Sequence, residues 1–216
     1  MIFSILDALS FGWNKLLERF GFWILVMVAY LLITHTSEYV VYSATDTPFI
    51  VLASIFDWLI STIFTLGLLK MTLEAYEDEH YGADEFLKIF KYLLHYIVAT
   101  FIYIVIVVIG LMLLVVPGVV FGIKLFFYNY FIIDKNMGLI ECLEASFKLT
   151  KGNFLKLLLF FLLIIAMNIV GVLFAGIGVI FTFPITFFAM VYVYKEMLEH
   201  YEDFEALEFS ESPEEV

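Results

Sequence analysis

Two ionisable side chains lie inside long apolar runs, and they are the residues that most need a chemical explanation. Asp57 follows Pro48 by nine residues and Lys124 follows Pro117 by seven. Each is therefore expected roughly 10–14 Å inward from the nearer helix end, at ~1.5 Å per residue. Asn168, in a later apolar run, is expected at a similar depth. We interpret Asp57, Lys124 and Asn168 as a polar layer inside the membrane, where ionisable groups are costly and often functional.

This predicted layer has two interpretations that the sequence leaves open. Asp57 and Lys124 either pair with each other or extend toward the interface and fix the helix register, which is the favoured interpretation. Alternatively, they line a path for a polar substrate or for protons. Asn168 either completes the layer or forms an interhelical hydrogen bond.

The arrangements of residues that identify common enzymes are absent from the sequence. The four histidines, at positions 35, 80, 95 and 200, form no His-x-x-x-His pair. The sequence also contains no Gly-x-Ser-x-Gly elbow, no phosphate-binding loop and no paired-glycine nucleotide motif. Cys142 is the only cysteine, so an intramolecular disulfide is excluded. We therefore expect a protein that is not an enzyme, with no catalytic residue, no metal and no cofactor.

The composition is that of a membrane protein. Hydrophobic residues make up 63% of the chain and the mean hydropathy is +1.01, whereas soluble domains are roughly 45–50% apolar. We predict an all-α polytopic protein in which residues 1–203 form one membrane domain. Six spans are expected as three hairpins, at about residues 21–36, 49–69, 93–116, 119–133, 154–175 and 179–194.

Two parts of this prediction carry alternatives or exceptions. Segment 119–133 follows Pro117-Gly118, so it either crosses the membrane completely or re-enters from one side. Residues 204–216 are acidic and lack apolar periodicity, which predicts a disordered tail.

No basic patch suits nucleic acid, so membrane lipids are the expected partners. The sequence indicates neither a protein partner nor an oligomeric state.

Lysine and arginine residues predict the orientation in the membrane. The connections 37–48, 117–118 and 176–178 contain neither residue type, whereas the opposite connections contain nearly all of them. The positive-inside rule then places both termini in the cytoplasm. Lys124 is the one exception, because it lies within a predicted span.

An amphipathic segment precedes each predicted pair of spans, at residues 5–20, 83–92 and 138–151. Each is expected to lie in the cytoplasmic interface, where its basic side chains contact anionic lipid headgroups. The predicted lipid contacts are Lys15, Arg19, Lys88, Lys91, Lys148 and Lys151. Small residues at four-residue spacing predict close helix packing at Gly118, Gly122, Gly171 and Ala175.

Two further patterns concern organisation and family. The motif Lys-x-x-Leu-Glu-x-Tyr-Glu-Asp occurs at 70–78 and again at 195–203, after the second and sixth spans.

Residues 83–194 resemble the membrane domain of some bacterial glycerophosphodiester phosphodiesterases and their free-standing YciC-like relatives. The resemblance rests on Pro117-Gly118, on the segment from Glu144 to Phe154, and on Gly176-Ile177-Gly178 followed by Pro184 and Tyr194. It implies a multi-pass inner-membrane protein without the catalytic domain.

Three functions are compatible with these observations. The first is a non-enzymatic membrane protein that supports envelope organisation or membrane lipid homeostasis, and it fits the resemblance best. The second is a transporter or channel for a small or lipidic solute, with the layer of Asp57, Lys124 and Asn168 as its polar site. The third, an intramembrane enzyme, would depend on the same few polar residues.

The predicted topology can be tested with reporter fusions. Reporters placed after Thr36, after Glu79, after Ile133 and at the C-terminus should report outside, inside, inside and inside, because the basic connections stay in the cytoplasm. The measurement is paired alkaline phosphatase and green fluorescent protein activity. A C-terminal reporter on the outside would exclude an even number of spans with a cytoplasmic N-terminus.

Overall fold

The computed structural model describes residues 2–43, 47–77, 88–174 and 176–211. Every regular element in these ranges is an α-helix, which confirms the predicted all-α class. The helices, in chain order, are α1 Ile5–Glu18, α2 Phe20–Ser43, α3 Thr47–Tyr76, α4 Phe90–Leu113, α5 Val115–Lys124, α6 Tyr128–Asp134, α7 Leu139–Leu149, α8 Phe154–Leu173 and α9 Val179–Glu211.

Within the described ranges, five segments are long and apolar enough to cross a membrane. They are α3, α4, α5 together with α6, α8, and α9 as far as Tyr201. Helices α1 and α2 pass the same test only as a pair bent by 96°, so the number of spans is five or six. The chain is therefore a helical membrane protein.

The first amphipathic segment forms α1, but α1 packs against protein instead of lying free in the interface. Ala8 and Leu16 are fully buried, and Gly12 lies against the backbone carbonyl of Ile185 in α9. The small residues on this face of α1 allow the two backbones to approach closely. The predicted lipid contact of Lys15 is wrong, since this residue is only 8% exposed and its ammonium pairs with Glu18 at 3.2 Å.

The beginning of the chain is held by α8. The Ser4 hydroxyl caps α1 by accepting a hydrogen bond from the Asp7 N–H at 3.3 Å. The Lys156 ammonium donates to the Phe3 carbonyl and lies 4.4 Å from the centre of the Phe3 ring. The same ring meets Phe160 edge-on at 6.1 Å. Helix α1 thus bridges the first turns of α8 and the body of α9.

Of the other two amphipathic segments, only the one at residues 138–151 lies fully within the described residues. Most of segment 83–92 lies outside the described residues. Segment 138–151 forms α7, and Gly152 follows it with φ +84°, the left-handed conformation expected of a glycine just past a helix end. The predicted Glu144–Lys148 pair is present at 2.8 Å, and its hydrogen bond lowers the pKa of the Glu144 carboxyl.

The fourth span is a broken helix. Helix α5 ends at Lys124 and α6 begins at Tyr128, so the intervening turn leaves backbone groups without their helical partners. Helix α7 supplies new partners: the hydroxyls of Ser146 and Thr150 donate to the Lys124 carbonyl at 3.0 and 3.2 Å. The Phe127 N–H in turn donates to the Ser146 hydroxyl at 3.0 Å. Irregular backbone at membrane depth is tolerated when protein groups satisfy it in this way.

This broken span also lies at the centre of the bundle. Half of its most apolar window is buried inside the protein, against 11% for α3 and for α4. Helix α9 is similar, with 44% of its window buried. The buried part of the broken span is mainly α6, which forms the core together with α9 and with the end of α3 from Leu66 to Ala75.

The predicted small-residue contacts are only partly present. A Cβ on Gly118 would lie 2.4 Å from the Leu111 side chain, and one on Gly171 would lie 2.6 Å from the Thr182 hydroxyl, so both positions are close contacts. At Gly122 a Cβ would have ordinary room, and this residue instead accepts a hydrogen bond through its carbonyl. Ala175 lies outside the described residues.

The acidic tail is more helical than its composition suggests. Helix α9 continues past the predicted membrane domain to Glu211, and residues 212–216 lie outside the described ranges. Residues 204–211, which the sequence analysis assigned to a disordered tail, are the last part of this helix, and disorder of the tail stays a prediction. The segment 204–208 contains glutamate, alanine and leucine, which are strong helix formers and allow a preceding helix to continue.

The contact between α1 and α9 can be tested with one glycine substitution and a matched control. In Gly12→Ala the new methyl group would lie 2.5 Å from the Ile185 carbonyl oxygen, so the backbones must separate. We expect the free energy of unfolding to fall by about 1–3 kcal/mol in detergent titrations. Gly21→Ala, whose methyl meets no atom within 4 Å, should leave it unchanged or slightly raised. Equal losses in the two variants would contradict the close contact.

Candidate functional site

The structure does not bring the predicted polar layer together. Helices α3 and α9 run side by side, with the rings of Tyr76 and Tyr192 in contact at 6.5 Å. Asp57 precedes Tyr76 by 19 residues, whereas Val179, the start of α9, precedes Tyr192 by only 13. Asp57 thus lies roughly 9 Å beyond the level at which α9 begins, at ~1.5 Å per residue.

Lys124 lies close to the opposite end of the core. It is three residues before Phe127, whose ring stacks on Tyr194 of α9 at 6.0 Å. Its ammonium lies 4.3 Å from the centre of the Phe147 ring of α7. The depths of Asp57 and Lys124 along the bundle therefore differ by roughly 20 Å or more. Among the described residues, no ion pair joins the two side chains.

The prediction of matched depth was wrong for a physical reason. It counted inward from Pro48, although α3 is 30 residues long and extends past the helices beside it. The distance of a residue from the end of its own helix gives its depth only when neighbouring helices end at the same level. Of the three predicted residues, Asn168 lines a partly open cavity between the described helices.

This intramembrane cavity has a volume of about 360 Å³ and lies between α3, α4, α6, α8 and α9. Its walls combine hydroxyl and amide side chains with aromatic and aliphatic ones, and no charged side chain, histidine or cysteine of the described ranges lines it. The lining residues are Thr65, Leu69, Tyr96, Tyr103, Phe126, Tyr128, Asn129, Tyr130, Ile164, Asn168, Phe183, Thr186, Phe187 and Met190.

One wall of the cavity is an aromatic stack. The Tyr128 ring lies against those of Tyr96 and Tyr103, with centroids 6.1 and 5.2 Å apart and nearly parallel planes. The Tyr128 and Thr100 hydroxyls are hydrogen-bonded at 2.7 Å, and the Tyr103 hydroxyl donates to the Gly122 carbonyl at 3.0 Å. These bonds hold the phenol rings in fixed positions, so this wall is a rigid surface.

Asn168, which also lines the cavity, has a buried acceptor without a donor. The Asn168 Nδ2 group donates to the Ile164 carbonyl one turn earlier in α8, at 3.0 Å. A carbonyl can only accept, so this contact fixes which end of the amide faces the helix. Asn168 Oδ1 is buried, and no described residue donates to it. An unsatisfied buried acceptor typically costs ~1–3 kcal/mol.

Sequence reasoning missed most of this cavity because it searched for ionisable residues. The hydroxyl-bearing residues of α4 and α6 are common in membrane helices and attract no notice one at a time. Tyr96 and Tyr103, however, are seven residues apart and so share one face of α4. A polar face within an otherwise apolar span is the signal that would have indicated the site.

An ion cluster joins three helices at the other end of the core. The Lys195 ammonium of α9 binds Asp134 of α6 at 2.8 Å and Glu77, just after α3, at 2.5 Å. The Tyr194 hydroxyl donates to the second oxygen of Asp134 at 2.9 Å. The repeated motif therefore has a structural role that the sequence did not reveal: the last part of its first copy contacts the start of its second.

The remaining predicted lipid contacts are exposed. Lys148 retains its pairing with Glu144, and Lys91 lies over the ring of its neighbour Tyr92 at 4.9 Å. The exposed residues of this set are Arg19, Lys88, Lys91, Lys148 and Lys151. Their positions allow contact with lipid headgroups.

Neither the thiol nor the carboxylates form a reactive or metal-binding site in the described part of the chain. Cys142 is fully buried in α7, and burial raises the pKa of its thiol to about 11. The nucleophilic thiolate is therefore scarce at neutral pH. No three His, Cys, Asp or Glu residues converge as metal ligands in the described ranges.

The ion cluster can be tested by comparing single and double substitutions. Asp134→Leu removes the most buried partner of Lys195 and should lower the free energy of unfolding by about 2–3 kcal/mol, because one exposed carboxylate remains to balance the charge. Adding Lys195→Met should recover most of that loss. As a control, Lys148→Met breaks the exposed pair with Glu144, whose side chains are 53% and 62% exposed, and should change little. Additive losses in the double variant would show that the cluster is not a coupled unit.

Comparison with known sequences and structures gives a family without an assigned activity. A family model described as a domain of unknown function, DUF7847, matches residues 89–208, which is more than half of the chain. These residues contain α4 to α8 and most of α9, and they provide every wall of the cavity except that of α3. No curated protein and no solved structure matches the chain. The chain belongs to the DUF7847 family.

Proposed function

We propose that this protein is a non-enzymatic protein of the cytoplasmic membrane, which holds an amphipathic molecule in the intramembrane cavity and thereby supports membrane lipid homeostasis. The observation that carries the proposal is the cavity of about 360 Å³ with mixed polar and apolar walls. The described residues of its lining include no carboxylate, imidazole, thiol or amine, the groups that most often carry out acid–base or nucleophilic catalysis. Such walls suit binding better than chemistry.

The proposed arrangement in the membrane is six spans in three hairpins, with both termini in the cytoplasm. The charge distribution of the connections supports this orientation. On this arrangement α1 and α2 together form the first, bent span. Lys195, Asp134 and Glu77 then lie at the cytoplasmic side, and the exposed basic residues, such as Lys88 and Lys151, contact anionic headgroups there.

The resemblance to the membrane domain of glycerophosphodiester phosphodiesterases, and to YciC-like proteins, is a proposed relationship that agrees with this function. It rests on the motifs within residues 83–194, a region that overlaps the DUF7847 match over most of its length. A membrane domain without its own chemistry is what such a relationship implies.

A transporter for a small or lipidic solute is the second candidate. The same cavity favours it, because membrane transporters bind their substrates between helices near the centre of the bilayer. Its polar site would be the cavity around Asn168 instead of a layer with Asp57 and Lys124. Transport would require the cavity to open in turn to both sides.

Binding in the cavity can be tested with two adjacent substitutions. Ile164 lines the cavity and is 5% exposed, whereas Ile165 on the same helix is 54% exposed. Ile164→Phe should fill part of the cavity and reduce the lipid that remains bound to the purified protein at least fivefold. Ile165→Phe should leave it unchanged. The measurement is native mass spectrometry after delipidating washes.

Two results would contradict the proposed function. One is a parent protein that carries no bound lipid after the wash, which would leave a cavity filled by water alone. The other is equal lipid binding by the two phenylalanine variants, which would place the lipid on the outer surface. Solute uptake into proteoliposomes that Ile164→Phe blocks would favour the transporter.

A further inference from the structure

We propose that the intramembrane cavity recognises an uncharged lipid whose polar end carries a free hydroxyl, and that Asn168 Oδ1 accepts the hydrogen bond from that hydroxyl. This inference rests on the proposed function, because it names the ligand class of the same cavity. Diacylglycerols and isoprenoid alcohols share the required chemistry.

The ligand is uncharged because the cavity offers no counter-charge. Among the residues that the structure describes, no aspartate, glutamate, lysine, arginine or histidine lines it. Moving an isolated phosphate or ammonium group from water into such surroundings is strongly unfavourable, because nothing there replaces its hydration or pairs with its charge. A phospholipid headgroup therefore belongs at the exposed basic residues and not in the cavity.

The size of the cavity limits what part of a lipid can enter. A volume of about 360 Å³ corresponds to roughly a dozen water molecules at ~30 Å³ each. This is enough for a glycerol unit with one ester group, or for the hydroxyl end of an isoprenoid chain. Long acyl chains do not fit and would remain in the surrounding bilayer. Phe183, Phe187 and Met190 give α9 an apolar wall against which the first methylene groups can pack.

The need for a donor on the ligand follows from the hydrogen bonds already present. Asn168 Nδ2 already donates a hydrogen bond to the Ile164 carbonyl, whereas Oδ1 is an acceptor without a partner. The Tyr103 hydroxyl donates its proton to the Gly122 carbonyl, and the Tyr128 hydroxyl is hydrogen-bonded to that of Thr100, so neither is the partner of Oδ1 in the structure. A ligand hydroxyl would supply the missing donor. An ether or ester oxygen cannot, because it has no proton to donate.

The test compares each alcohol with the analogue that lacks the proton. Dioctanoylglycerol and farnesol, and the O-methyl ether of each, are titrated into the purified protein in detergent, with binding followed by native mass spectrometry. At least one alcohol should bind tenfold or more tightly than its ether to the parent protein. The alcohol that does so identifies the source of the ligand. In Asn168→Leu the difference should shrink to threefold or less, while the thermal unfolding of the variant stays close to that of the parent.

Three results would overturn the inference: ethers that bind as tightly as the alcohols, phosphatidic acid that displaces them from the cavity, or no binding by either alcohol. If Asn168→Leu fails to fold, the alcohol–ether comparison on the parent decides alone. The Ile164→Phe variant distinguishes a failure of this inference from a failure of the proposed function. A lipid that Ile164→Phe expels but that shows no preference for a hydroxyl leaves the cavity as a lipid site and removes only the role given to Asn168.

Discussion

The rule that a backbone polar group cannot remain unsatisfied in hydrocarbon determines how this bundle is organised. At the break between α5 and α6 the Lys124 carbonyl and the Phe127 N–H lose their helical partners, and Ser146 and Thr150 of α7 replace them. With these groups satisfied, α5 and α6 continue as one span of 20 residues despite the break. The part of the span after the break places Tyr128 and Tyr130 at the cavity and Asp134 beside Lys195. The two polar features of the core therefore depend on two hydroxyl groups from a helix that does not itself cross the membrane.

The cavity and the ion cluster separate two kinds of polarity along the same bundle. Charges meet at one end, where Lys195 has carboxylates from two other elements, and the neutral hydroxyl and amide groups lie farther inside. This division matches the cost of burying each kind of group, which is modest for a hydrogen-bonded hydroxyl and large for an ion. It also explains how a chain with so few intramembrane charges can still enclose a polar site.

Sequence reasoning predicted the elements well and their mutual positions poorly. Apolar runs and glycines gave the helices, the close contacts at Gly118 and Gly171, and the helix end at Gly152, because these depend on residues close together in the chain. The position of Asp57 relative to Lys124 depends on how far α3 extends past its neighbours, which no local pattern encodes. The burial of α1 was missed for a related reason: an apolar face looks the same whether lipid or another helix covers it. Likewise, the partners of Lys195 come from segments some 60 and 118 residues earlier in the chain.

The packing of α1 on α9 has a consequence for how the protein is made. The ribosome synthesises α1 before α9, and Ile185, the residue that meets Gly12, is added more than 170 residues later. During that interval the face of α1 with Ala8, Gly12 and Leu16 lacks the α9 surface that it contacts in the folded protein. Assembly of the bundle can therefore be completed only after α9 has been synthesised. A chain that stalls before α9 is complete lacks the surface on which α1 docks, and this gives membrane quality control a physical feature by which to recognise an unfinished copy.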